Sequence, residues 1–89
     1  MSEIYKEQAF LESILSSLAS KPDEVKVNRT VDSMGVLYTV SVAKEDVAKI
    51  IGKGGETAKS IRNLLRVVAY GTGVRATMKI DAPYIEKHI

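Results

Sequence analysis

Three glycines fall within four consecutive positions, Gly52-Lys53-Gly54-Gly55, between an apolar pair, Ile50-Ile51, and a stretch that resumes helical spacing at Ala58. No helix continues through such a run, because glycine is the costliest ordinary residue in a helix interior after proline. The chain is therefore committed to two helices joined by a tight loop. On the N-terminal side, Lys44 to Ile51 carries two acids near its start (Glu45, Asp46) and Val47, Ile50 and Ile51 on one side, the pattern of a short helix favoured by its own dipole. On the C-terminal side, about Glu56 to Tyr70, Ala58, Ile61, Leu65 and Val68 share a face, and Gly71-Thr72-Gly73 ends the helix. A helix as short as the first needs packing to hold it.

The remaining periodicities supply something for these helices to pack on. Leu11, Ile14, Leu15 and Leu18 sit at i, i+3, i+4 and i+7, with Ile4 one heptad earlier, so a first amphipathic helix spans about residues 3–20 and stops before Pro22. The period then becomes two. Val25, Val27 and Val31 alternate with polar residues, with Arg29 interrupting the apolar side, and Val36, Tyr38, Val40 and Val42 resume the alternation after Asp32-Ser33-Met34-Gly35. These two runs read as an antiparallel hairpin. A last strand alternates Val74, Ala76, Met78 and Ile80 with Arg75, Thr77, Lys79 and Asp81, and Pro83 stops it. The order is α-β-β-α-α-β, an α+β domain with a three-stranded sheet and helices on one face. With 89 residues it is one domain, residues 1–81, followed by a short extension, 82–89.

Composition excludes several classes of function. There is no cysteine, which removes disulfide frameworks, thiolate zinc sites and cysteine nucleophiles. The single histidine, His88, lies next to the end of the sequence, and no cluster of residues has metal-ligand spacing, so neither an enzyme nor a metal or cofactor protein is expected. Asp23-Glu24 and Glu45-Asp46 are neighbours at the starts of elements, where turn chemistry and dipole compensation account for them. Neither a 20-residue apolar run nor a signal-peptide pattern occurs, so a soluble cytoplasmic protein is expected.

The net charge of +2 conceals a polarised distribution. Residues 1–24 carry two basic side chains against five acidic ones, whereas residues 44–66 carry six (Lys44, Lys49, Lys53, Lys59, Arg62, Arg66) against three. The positive charge is thus centred on the glycine loop, where a polyanion can be met. A loop of small residues opening a helix presents backbone N–H groups to a phosphate, and Lys53 adds charge at its tip. Neither the Walker pattern nor the dinucleotide pattern is present, since Lys53 is followed by Gly54 and Thr57 stands where a third dinucleotide-loop glycine is required. Lys59, Arg62 and Arg66, at i, i+3 and i+7, extend the charge along the second helix. A single strand laid past Lys53 would face an apolar surface near Val47, Ile50, Ile51 and Ile61, although Ile50, Ile61 and Leu65 serve equally as core. Aromatic residues are scarce, which favours a groove over a stacking platform.

Ile50-Ile51-Gly52-Lys53-Gly54-Gly55, followed by Ala58-Lys59-Ser60-Ile61-Arg62, resembles the signature of KH domains, whose G-x-x-G loop clamps the backbone of about four nucleotides. The element order is similar to the type II, prokaryotic arrangement. Lys21-Pro22-Asp23-Glu24-Val25 and Val42-Ala43-Lys44-Glu45-Asp46-Val47 extend the likeness to the small single-domain bacterial KH proteins of the KhpA family, over roughly residues 10–81. The resemblance implies sequence-tolerant binding of single-stranded RNA in the bacterial cytoplasm, as an RNA chaperone or post-transcriptional regulator, with a homodimer or a larger KH partner, KhpB. It assigns the RNA contact to Ile51, Gly52, Lys53, Gly54, Gly55, Lys59 and Arg62. The alternative is a protein-interaction or ribosome-associated module that works mainly as a homodimer or with that larger partner.

Overall fold

Tyr38 occupies the middle of the central strand and is completely buried, and the sheet and helices are arranged around it. In the computed structural model, which describes residues 5–81, the elements are α1 (Lys6–Leu18), β1 (Lys26–Asp32), β2 (Gly35–Ser41), α2 (Val47–Ile51), α3 (Glu56–Gly71) and β3 (Ala76–Ile80). Single 3-10 turns at Pro22–Glu24, Lys44–Asp46 and Lys53–Gly55 join them. The sheet order is β1-β2-β3. The hairpin strands pair antiparallel from Lys26 opposite Ser41 to Asp32 opposite Gly35, and β3 lies parallel to β2, with Met78 opposite Tyr38.

The alternation read from the sequence sets the buried face. Val36, Tyr38 and Val40 of β2 and Ala76 and Met78 of β3 point into one core with Leu11 and Leu15 of α1, Ile50 of α2 and Ala58, Ile61, Leu65 and Ala69 of α3. On α3 the fourth buried position is Ala69, while Val68 is half-buried, because helical phase rather than side-chain size decides which residue faces inward. Val31 is exposed, so the apolar alternation of β1 does not persist to the hairpin. Arg29, on the apolar side of β1, is half-buried instead of expelled. Its guanidinium lies 3.6 Å from the centroid of the Tyr5 ring. Its Nε donates to Tyr38 Oη (3.2 Å), and that hydroxyl donates to Oε2 of the buried Glu7 (3.2 Å). Burial is the main cause that raises the Tyr38 pKa above its ordinary value.

The first helix is shorter than its pattern. It ends at Leu18 because Ala19 turns to extended backbone and the next two N–H groups are claimed by another element. Asp46, completely buried, accepts from the Ser20 N–H (2.9 Å) and hydroxyl (2.6 Å) through Oδ1 and from the Lys21 N–H (3.0 Å) through Oδ2. This carboxylate makes no capping hydrogen bond to its own helix; it ties the end of α1 to the start of α2. Next to it, Lys21 Nζ and Glu45 Oε2 form an ion pair at 2.6 Å, which raises the lysine pKa and lowers that of the acid. The helix expected from Lys44 begins as a 3-10 turn and becomes α-helical only at Val47. At its other end α1 begins at Lys6, with Tyr5 extended before it; Ile4, counted in the expected helix, and the extension 82–89 lie outside the described residues.

Two stability measurements follow from this packing. Leu11→Ala removes a side chain with no exposed surface and is expected to cost about 2–5 kcal/mol in urea unfolding. The Asp46 pKa is lowered, first by the Ser20 hydroxyl and then by its N–H, so the native state favours the ionised carboxylate. Its contribution is complete above its ordinary value of 3.8 and is lost as pH falls through the lower folded value. Asp46→Asn is therefore expected to lower the melting temperature at neutral pH and to flatten the acid side of the stability profile; an unchanged acid limb contradicts this.

Candidate nucleic-acid interface

Gly52 is where α2 stops and the loop begins. Its φ of 80° and ψ of 170° are closed to other residues, and a Cβ there would collide with Oγ1 of Thr57 and lie 2.7 Å from its Cβ. Its N–H still closes the last turn of α2 on the Ala48 carbonyl (2.8 Å), and its own carbonyl accepts from the Gly55 N–H (3.0 Å). The loop is thus folded on itself through backbone bonds. Gly54 (φ 63°) is left-handed at the tip, where a Cβ would meet nothing within 4 Å. Lys53 and Gly54 are exposed, and no side chain caps the N-terminus of the 16-residue α3 that follows.

The structure keeps the expected contact residues on one continuous segment and gives them different roles. Lys53 stands at the tip and exposed Lys59 on the first turns of α3. Half-buried Arg62, on the same flank of α3, donates from Nε to the carbonyl oxygen of Met78 (3.1 Å), which locks helix to strand and leaves its terminal nitrogens without a partner among the described residues. Ile51 is half-buried against the core. The apolar surface expected for bases is reduced to it: Val47, Ile50 and Ile61 are at most 2% exposed and belong to the core, because they are the residues that hold α2 and α3 on the sheet.

The bond from Arg62 was hidden in the sequence, where its acceptor in β3 is sixteen residues away. So was the placing of Arg75 beside Arg66: both residues line the same clefts beside β3, one running past the end of α3 and one past the hairpin turn. The helix–turn–strand succession was the only signal for that placing. Among the described residues no group of three or more His, Asp or Glu could hold a metal ion, and no helix is long and apolar enough to cross a membrane.

A family model described as KhpA/KhpB, KH domain, matches residues 8–80. The chain is 42% identical over 71 residues to the RNA-binding protein KhpA of Chlamydia pneumoniae, covering 80% of this chain and 91% of that protein. It is 41% identical over 71 residues to the protein of the same name from Chlamydia trachomatis serovar D, with the same coverage. With the KhpA of Borreliella burgdorferi the identity is 38% over 80 residues, 90% of this chain and 98% of the relative. No solved structure matches the chain.

The two loop glycines are separable by stability. Gly54→Ala should cost about 1–2 kcal/mol, the strain of a left-handed backbone alone. Gly52→Ala adds the collision with Thr57 and should lower the urea midpoint further; equal losses would show that the loop relaxes freely around Gly52.

Proposed function

The chain belongs to the KhpA/KhpB family of KH domains, and from that membership and the loop geometry we propose that it binds single-stranded RNA by clamping the sugar–phosphate backbone at Gly52–Gly55. The observation that carries the reading is the loop itself: an exposed Lys53-Gly54 tip without steric bulk, set on the uncapped N-terminus of a long helix. Backbone N–H groups and the helix dipole suit a phosphate, and Lys53, Lys59 and Arg62 supply charge beside it. Ile51 is the apolar side chain left to touch a base or ribose. Contacts of this kind position a strand with little regard to sequence, which fits an RNA chaperone or post-transcriptional regulator acting in the cytoplasm.

One KH domain makes few phosphate contacts, so its affinity is modest and salt-dependent. Pairing with a second copy or with a KhpB-type KH protein raises it through effective concentration. Leu64, half-exposed on the outer side of α3, offers apolar surface for such pairing.

Fluorescence anisotropy with a labelled single-stranded RNA over a salt series tests the clamp. The double variant Lys53→Asp, Gly54→Asp keeps the fold, since both positions are exposed and aspartate tolerates left-handed backbone. It should weaken binding by roughly tenfold or more at low salt and reduce the slope of log K against log salt by about 0.7 for each phosphate that the loop no longer neutralises. Undiminished affinity in the folded variant would sink the reading.

A further inference from the structure

We propose that the RNA strand does not end at the loop but continues along α3 into the cleft beside its C-terminus, where a base stacks on Tyr70 and the backbone meets Arg66 and Arg75. The proposal rests on the RNA reading and names a second contact region for it. Lys59, Arg62, Arg66 and Tyr70 follow one another at intervals of three, four and four residues, which places them in a single row on the flank of α3. The row is about 16 Å long at 1.5 Å per residue. It starts at the loop and ends at a cleft of about 730 Å³ whose walls include Asn63, Arg66, Val67, Tyr70, Val74 and Arg75, with no acidic side chain among its lining residues.

Each part of this cleft suits a nucleotide. Tyr70 is 86% exposed, and its side chain has no partner among the described residues. The other described aromatic residues are committed: Tyr38 and Phe10 to the core, and Tyr5 to Arg29. Arg66 donates from Nη2 to Asn63 Oδ1 (2.6 Å), an exposed bond that orients the guanidinium without neutralising it. The Arg75 carbonyl accepts from the Val36 N–H (2.8 Å), which fixes the arginine at the start of β3, while its side chain forms no ion pair among the described residues. One acid, Asp32, lines the neighbouring hairpin cleft, and its Oδ1 accepts from the Met34 N–H (2.8 Å). Two arginines around an open aromatic ring match a polyanion with π-faces. Leu64, the residue offered above for pairing with a second copy, is not among the lining residues of this cleft, whose charge is that of two arginines.

Length dependence separates the extension from the clamp. Labelled oligouridylates of about four and about ten nucleotides are titrated at low salt, the shorter matching the span of one G-x-x-G clamp. The longer strand gains affinity statistically, by offering more registers, in every variant alike. Tyr70→Ala should remove roughly five- to tenfold of the remaining gain, and Tyr70→Phe should restore it, since stacking needs the ring and not the hydroxyl. Arg75→Ala should reduce the salt slope by about 0.7 on the longer strand only, with tetramer binding unchanged for all three variants. If Tyr70→Ala and Arg75→Ala keep the wild-type ratio of long to short affinity, the extension is wrong and the clamp stands. If the wild type binds neither length, both fail. If Tyr70→Ala lowers the sedimentation coefficient while leaving that ratio unchanged, the cleft is an interface between copies and the proposal is overturned.

Discussion

A five-residue helix has too few internal hydrogen bonds to stand alone, and the buried Asp46 carboxylate holds the first turn of α2 against the end of α1. The position of the glycine loop depends on this. Its three hydrogen bonds to Ser20 and Lys21 compensate the burial of a charge that would otherwise be prohibitive. Val47 and Ile50, inserted in the core immediately afterwards, fix the direction of α2, so Gly52 begins the loop at a defined place. The ion pair between Lys21 and Glu45 lies over the same junction but is solvent-exposed and adds little by comparison.

From the loop onward, a single helix divides its surface between the core and the cationic flank proposed to meet RNA. Ala58, Ile61, Leu65 and Ala69 anchor α3 to the sheet, while Lys59, Arg62 and Arg66 occupy the adjacent flank. Arg62 stands between the two: its bond to the Met78 carbonyl holds helix and strand together, and its remaining nitrogens stay on the cationic side. The rigid parts are therefore apolar or hydrogen-bonded, and the charges at the loop tip and on the first turns of α3 stand in solvent, where they are free to meet phosphate.

The fold was legible wherever one periodicity dominated. The i, i+3, i+4, i+7 spacing at Leu11 to Leu18, the alternation at Val36 to Val40 and the glycine run each admitted one kind of element, and the order followed. Residues whose role depends on distant partners were not legible. Glu7 and Asp46 look like solvated charges on helices, and only the approach of Tyr38 and Ser20 makes them interior groups. Arg29 looks like a flaw in a strand until Tyr5 and Tyr38 flank it. At the candidate interface the loop, Lys53 and Lys59 could be read directly, since each is exposed and adjacent in sequence. The apolar half could not: Ile50, Ile51 and Ile61 are chemically alike, and only packing shows that Ile51 alone reaches the surface.

The most direct test of the central claim is an amide chemical-shift titration of the isotopically labelled protein with a short single-stranded RNA. The account predicts that the largest shifts fall on Ile51 to Gly55 and along the Lys59 and Arg62 flank of α3, with α1 and β1 undisturbed. Shifts concentrated on α1 or β1, with the loop silent, would contradict it.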